Sequence, residues 1–230
     1  MSLDIFTLGA IALTIGAYRF SLFLRRRWAH PLTTPVLFST GLVVATLLLV
    51  RTDAAAYEPA KGLMSFLLGP ATVALAIPLY RNRETFRRRL GPALGGVITG
   101  IAVTMALAIA CGRAFGLATP LQATLAVKSA TTAIAIEVAR IVHGDPALAA
   151  GFVVCTGTFG AALGPWLLDR VRVLDPVARG VAFGAIAHGI GTAQAASESE
   201  LAGAVAGVSL GIGGILTAAL APLFLRLLGS

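Results

Sequence analysis

The stretch Lys128-Ser129-Ala130-Thr131-Thr132-Ala133-Ile134-Ala135-Ile136-Glu137 sets an ammonium, three hydroxyls and a carboxylate in a run that is otherwise apolar. Ionisable groups at membrane depth are expensive and mark solute paths, pores or binding sites. The chemistry this set suits is anion binding. Lys128 supplies the charge, and Ser129, Thr131 and Thr132 supply directed hydrogen bonds to a carboxylate. If Lys128 opens a half-helix, the free N–H groups of its first turn and the helix dipole add to the attraction. Two plainer roles compete. A lysine can snorkel to the interface along its methylene stem, and a threonine can bond back to the preceding helical turn.

A second constellation is His188-Gly189-Ile190-Gly191-Thr192. Glycines on either side of Ile190 weaken a helix, which suits an unwound turn. They also suit close helix packing through small residues. Histidine titrates near neutral pH, so His188 is a candidate proton carrier; a neutral, hydrogen-bonded core histidine is the competing role. Glu137 is a second candidate for the proton. Glu137 and Glu198 each follow a threonine, Thr131 and Thr192, by six positions, with Arg140, Lys128 or His188 as partners, whereas Glu200 reads as a solvated segment end. Gly191 and Thr192 complete the expected substrate-binding set with Lys128, Ser129, Thr131 and Thr132.

The elements that must hold these residues are membrane helices. The chain has 230 residues, 57% apolar and only 12% charged, with a mean hydropathy of +0.88. A soluble domain has about 25% charged residues. The charges cluster and leave apolar segments at 3–24, 33–50, 62–80, 91–118, 119–142, 147–168, 177–197 and 201–228, several of them near the roughly 20 residues that span a bilayer. The expected fold is therefore all-α and polytopic, one domain over 1–230 with 7–8 apolar segments. The net charge of +8 lies in short loops, Arg25 to Arg27 and Arg81 to Arg89, with no interleaved aromatics. That is the positive-inside pattern rather than a nucleic-acid surface. The N-terminal segment reads as a retained span, since no positive region precedes it.

Counting crossings gives a conflict. With loops 25–30 and 81–90 on the cytoplasmic side, two full crossings by 119–142 and 147–168 would put Arg170, Arg172 and Arg179 outside. The conflict vanishes if 119–142 enters and returns, and 177–197 does the same from the other side. The result is an inverted repeat with two interrupted or re-entrant helices, a recurring transporter plan. A broken helix that crosses completely stays open as the alternative. Ala71-Thr72-Val73-Ala74-Leu75-Ala76-Ile77 also resembles Ala130-Thr131-Thr132-Ala133-Ile134-Ala135-Ile136, which leaves duplication and chance likeness both open. Gly69-Pro70 with Pro78, and Gly164-Pro165, are expected to interrupt their segments. Gly207, Gly211, Gly213 and Gly214 read as a packing face, Trp28 and Trp166 as interfacial anchors, and Cys111 and Cys155 as small buried residues. No phosphate loop, metal-ligand spacing or nucleophile elbow occurs, so neither an enzyme nor a cofactor is expected.

Several ordered motifs resemble the LrgB/CidB family of bacterial membrane proteins. They are Leu67-Leu68-Gly69-Pro70-Ala71-Thr72-Val73-Ala74-Leu75-Ala76-Ile77-Pro78-Leu79-Tyr80, Lys128 to Ala135, Thr156-Gly157-Thr158-Phe159-Gly160-Ala161-Ala162-Leu163-Gly164-Pro165, Ala178-Arg179-Gly180, Ala187 to Ala193 and Gly214-Ile215-Leu216-Thr217. Together they cover 60–228. The family usually has proline where this chain has Val127 and Ala133. The resemblance implies a multi-pass protein of the bacterial inner membrane, antiholin-like, regulating murein hydrolase activity and lysis beside a small holin-like LrgA/CidA protein. It also implies kinship with the plastid glycolate/glycerate transporter and with movement of pyruvate, lactate or acetate. The leading expectation is a proton-coupled transporter of small monocarboxylates, the alternative an antiholin-like regulator. The expected partners are a carboxylate substrate, the bilayer, an LrgA/CidA-like protein and further copies of the chain.

Overall fold

The computed structural model describes residues 5–28 and 35–228, and every regular element among them is a helix. Residues 3–4 and 33–34 of the first two expected segments, and 29–30 of the first arginine loop, lie outside the described residues. The chain forms two compact units, Met1–Ala76 and Ile77–Ser230. In the first, α1 (Ile5–Arg27) packs against α2 (Pro35–Leu49), and a short 3-10 turn at Ala54–Tyr57, capped by Asp53, leads into α3 (Glu58–Ala74). The hydroxyls of Thr14 and Tyr57 share a 2.7 Å hydrogen bond.

The second unit follows from α4 (Ala76–Arg81) and α5 (Arg83–Arg88). It contains α6 (Leu90–Ala114), α7 (Thr119–Ala126), α8 (Thr132–Ile141), α9 (Pro146–Arg170), α10 (Pro176–Glu198) and α11 (Glu200–Leu228). Local sequence sets the ends. Asp145 and Asp175 each precede a proline, and each accepts two backbone N–H groups, Ala147 and Leu148 for the first and Val177 and Ala178 for the second. Aspartate satisfies the orphan donors and proline fits the first helical position. Helices α6, α8 and α9 stop through left-handed residues Gly116, His143 and Arg172. In each, the N–H two beyond the last cap bonds back across the turn, as Leu117 N does to Gly112 O at 2.9 Å.

Among the described residues, four helices are long and apolar enough to cross a bilayer: α1, α6, α9 and α11. The remaining expected segments differ for physical reasons. Helix α2 has 15 residues, about 22 Å at 1.5 Å per residue, short of a hydrocarbon core of about 30 Å. Segment 62–80 breaks at Leu75, between α3 and α4. That break lies one turn before Pro78, which cannot bond to the carbonyl of the preceding turn, whereas the interruptions expected at Pro70 and Pro165 do not occur: α3 runs through the first and α9 through the second. A proline removes one hydrogen bond, and around Pro165 packing of the buried Ala161 and Ala162 holds the helix. The likeness between 71–77 and 130–136 does not extend to conformation. Thr72 lies inside a helix, whereas Thr131 is extended.

Segments 119–142 and 177–197 both fold back. In the first, Asp145 N donates to Thr124 Oγ1 at 2.8 Å although 21 positions separate them. A straight helix would hold them about 31 Å apart. In the second, Arg179 Nε donates to Glu198 Oε2 at 2.7 Å across 19 positions, against about 28 Å for a straight helix. The reversal falls at His188, whose φ of 41° and ψ of −133° break the helix. The hairpins open toward opposite ends of α9. The first is closed beside Asp145, at the start of α9, and the second beside Asp169, which accepts from Arg179 near its end.

Small residues let these elements approach closely, as membrane packing favours. A Cβ at Gly164 would meet Phe183, one at Gly160 would meet Ala187, and one at Gly184 would overlap the Ala206 carbonyl. In the proposed packing face of α11, Gly214 lies against Ile134 and Gly213 near Ile101 and Ala185, while Gly211 faces open space. Cys111 and Cys155 are exposed rather than buried, on the outer sides of α6 and α9.

Candidate functional site

The first hairpin carries Lys128 at its tip because α7 stops at Ala126 and α8 starts only at Thr132. Residues 127–131 form tight turns, with Ala130 N bonded to Val127 O at 3.1 Å. Non-helical backbone at membrane depth is tolerated where protein buries it, and Val127, Ser129 and Ala130 are all buried. Lys128 is half-buried, and its Nζ donates to Ser129 Oγ at 3.4 Å. Thr131 caps α8 in an extended conformation. Its carbonyl accepts from Ala135 N, and its hydroxyl makes no capping bond. The first-turn N–H groups of α8 therefore face the tip without a side-chain cap. Thr132 is exposed, and Glu137 pairs outward with Arg140 at 2.6 Å, both more than half exposed.

The second tip is built around His188, 4% exposed. Its Nε2 donates to the Val153 carbonyl at 2.8 Å, which leaves Nδ1 as the acceptor of the neutral ring. The backbone at His188 lies where non-glycine residues are rare, and such strain persists only where surroundings hold it. Here Gly157 allows the ring to seat: a Cβ at that position would fall 2.5 Å from Cε1. Gly191 returns against Ala187 and the Phe183 carbonyl, and Thr192 Oγ1 donates to His188 O at 2.9 Å. Gly191 thus serves close packing, Gly189 faces open space, and the turn itself is made by the histidine.

Among the described residues, no hydrogen bond joins the Lys128 group to the His188 group. What they share is Val153. Its carbonyl holds His188, and its side chain lies in one apolar cluster with Ala126, Val127 and Ala130 of the first tip. Ile101, Met105 and Ala185 belong to the same cluster. Val153 falls in the first half of α9, and Ile101 in the middle of α6, so both tips stop within the depth of the spans.

Thr124, which closes the first hairpin, escaped the sequence reading, and so did the pairing of Arg179 with Glu198 that closes the second; Glu198 pairs with neither Lys128 nor His188. The Asp-Pro pairs at 145–146 and 175–176 were the signal for where each hairpin meets its neighbouring loop. Among the described residues, no group of three or more histidine, cysteine or acidic side chains is gathered as a metal site.

Residues 14–227 match the model of the LrgB-like family. The chain belongs to this family. It is 34% identical over 213 residues to "Uncharacterized protein YxaC" of Bacillus subtilis (strain 168), covering 93% of each chain. It is 28% identical over 217 residues to "Holin-like protein CidB" of Staphylococcus aureus (strain N315), covering 94% of this chain and 95% of that one. Over 173 residues it is 30% identical to "Antiholin-like protein LrgB" of Bacillus cereus (strain B4264), covering 75% of each. No solved structure matches it significantly. As an LrgB-like protein with several apolar helices, it is a multi-pass protein of the cell membrane.

Proposed function

We propose that this LrgB-like chain acts in a holin/antiholin-like system, modulating murein hydrolase activity and lysis together with a small LrgA/CidA-like membrane protein. What carries the reading is the match, over most of the chain, to relatives named holin-like and antiholin-like. The test is expression of the chain in cells with and without the small partner. Murein hydrolase activity and release of a cytoplasmic enzyme are measured. A several-fold change that requires the partner, with co-purification of the two in mild detergent, is expected. Unchanged lysis in cells that insert both proteins would overturn it.

A second reading, transport of small monocarboxylates of the glycolate, glycerate, lactate, pyruvate or acetate class, is favoured by one observation. Two hairpins enter from opposite ends of α9 and stop on the same residue, Val153. We read them as re-entrant and as an inverted pair. Lys128, Ser129, Thr131 and Thr132, with the N-terminus of α8, hold the carboxylate. Gly191 and Thr192 shape the opposite wall. His188 accepts the coupling proton at Nδ1, and Glu137, neutralised by Arg140, is the lesser candidate. The test is uptake of labelled glycolate, lactate and pyruvate into proteoliposomes, with and without an inward proton gradient. Saturable uptake that Lys128→Ala abolishes supports transport. No uptake by inserted protein, even with the small partner present, leaves the lysis reading alone.

A further inference from the structure

Arg179 and Glu198 lie at the open end of the α10 hairpin, one on each arm. Arg179 Nε donates to Glu198 Oε2 at 2.7 Å, and its Nη1 donates to Asp169 Oδ1 at 2.6 Å and to the Val173 carbonyl at 3.0 Å. The other carboxylate oxygen of Glu198 accepts from Gln194 Nε2 at 3.1 Å. One guanidinium therefore ties both arms to the end of α9 and to the loop between them. The pair is also set apart by its surroundings. The two side chains are 11% and 17% exposed, whereas in the ion pairs that do not involve Arg179 every partner among the described residues is at least 40% exposed. An ion pair shielded to this degree is strong while intact, and once parted it draws water to both charges.

The hairpin is held elsewhere by different means. Its tip is fixed by the His188 to Val153 bond, and its arms rest on α11, the first through Gly180 and Gly184 and the second through Ala196 against Gly203. Parting the charges frees the mouth and leaves the tip as a pivot, the geometry of a hinged gate. We propose that the Arg179–Glu198 pair is the latch of this hairpin: closed, it seals the His188 turn from the arginine-rich face, and open, it admits water and solute to that turn. The proposal rests on the re-entrant reading of α10.

Accessibility of the tip tests it without any assay of transport or lysis. Thr192 is buried, 7% exposed, one turn beyond His188 while the pair is intact, so the near-isosteric Thr192→Cys in a Cys111→Ser, Cys155→Ser background is a reporter for a membrane-impermeant maleimide. Labelling is measured in sealed vesicles of each orientation. Glu198→Gln is expected to raise the labelling rate from the arginine-rich face by about tenfold, the effect of 1.4 kcal/mol on an opening equilibrium. Arg179→Lys, which keeps the charge, stays close to the parent. Asp169→Asn, which removes only the outer contact, gives a smaller rise. A monodisperse Glu198→Gln protein labelled at the parental rate would overturn the latch, as would a rise equal on both faces. Should Glu198→Gln not insert, the graded Asp169→Asn and Arg179→Lys pair carries the test, and parental rates in both overturn it. A gain from the opposite face alone overturns the re-entrant orientation instead, and the latch with it.

Discussion

The two hairpins of the second unit reverse the chain by different means and close it with different chemistry. At 127–131 the backbone leaves the helix for several residues, and a neutral hydrogen bond from Asp145 N to Thr124 Oγ1 shuts the open end. At His188 a single left-handed residue turns the chain, and charged side chains shut the open end. The wide turn leaves room for an ammonium and uncapped N–H groups. The sharp turn leaves none, and its polar groups are spent on holding itself: Nε2 on Val153, and the His188 carbonyl on Thr192. One tip presents donors that no side chain caps, and the other spends its polar groups on holding its own shape.

The largest expected contrast comes from the tips. Lys128→Ala should lower saturable uptake, or partner-dependent lysis control if the tip serves that role, by at least about tenfold. Thermal stability in detergent should stay level or rise, because a half-buried ammonium is a burden on the fold. His188→Ala should instead lower stability by about 1–3 kcal/mol, since the buried Val153 carbonyl loses its donor. Equal destabilisation by both changes, read from melting curves, would erase the distinction. Next in size, Gly184→Val should destabilise by about 1–3 kcal/mol through overpacking on the Ala206 carbonyl, whereas Gly189→Ala, with open space around it, should stay within about 0.5 kcal/mol. Thr124→Val should cost about 1 kcal/mol, with no change in the salt dependence of stability. Salt dependence belongs to the ionic mouth.

The smallest effect is one of pH. Asp175, in the loop that opens α10, has a carboxyl held below the usual range. Its partial burial pushes upward but is outweighed by the Ala178 N–H, by the hydrogen bond and charge of Arg89, and by the Val177 N–H. A depressed folded value means the stabilisation is present above the ordinary carboxylate pKa of about 3.9 and is lost as pH falls through the lower, folded one. Melting temperature should therefore be flat from neutral pH down to about 4 and fall below that. Asp175→Asn should remove the part of the fall due to this group, and Thr124→Val should leave it intact.

Lys128 and the break around it were legible in the sequence because a charge in an apolar run has few places to go. So was the weakness of the His188 stretch, read from its glycines. Which residue would turn was not, because that depends on the space Gly157 gives the imidazole from another helix. The pairing of Arg179 with Glu198 was hidden for the same reason: 19 positions separate them, and only the reversal makes them neighbours. Pro165 misled in the opposite direction, since the lost hydrogen bond at a proline is visible in sequence and the packing that tolerates it is not. Eight apolar segments that looked alike by composition divided into span-length helices, hairpins and short helices according to length and to partners outside themselves.

Helix α10 leans on α11, the element that follows it in the chain. A chain made from its N-terminus therefore presents the hairpin before the surface that receives it exists. At that moment Glu198 and His188 lie in a segment too polar to be inserted as an ordinary span, unlike α11, which qualifies on its own. On the re-entrant reading, biogenesis would run out of sequence order, with α6, α9 and α11 entering first and the α10 hairpin last. A truncation before α11 should leave it at the membrane surface, a half-built protein recognisable to quality control by the charges it has not yet hidden.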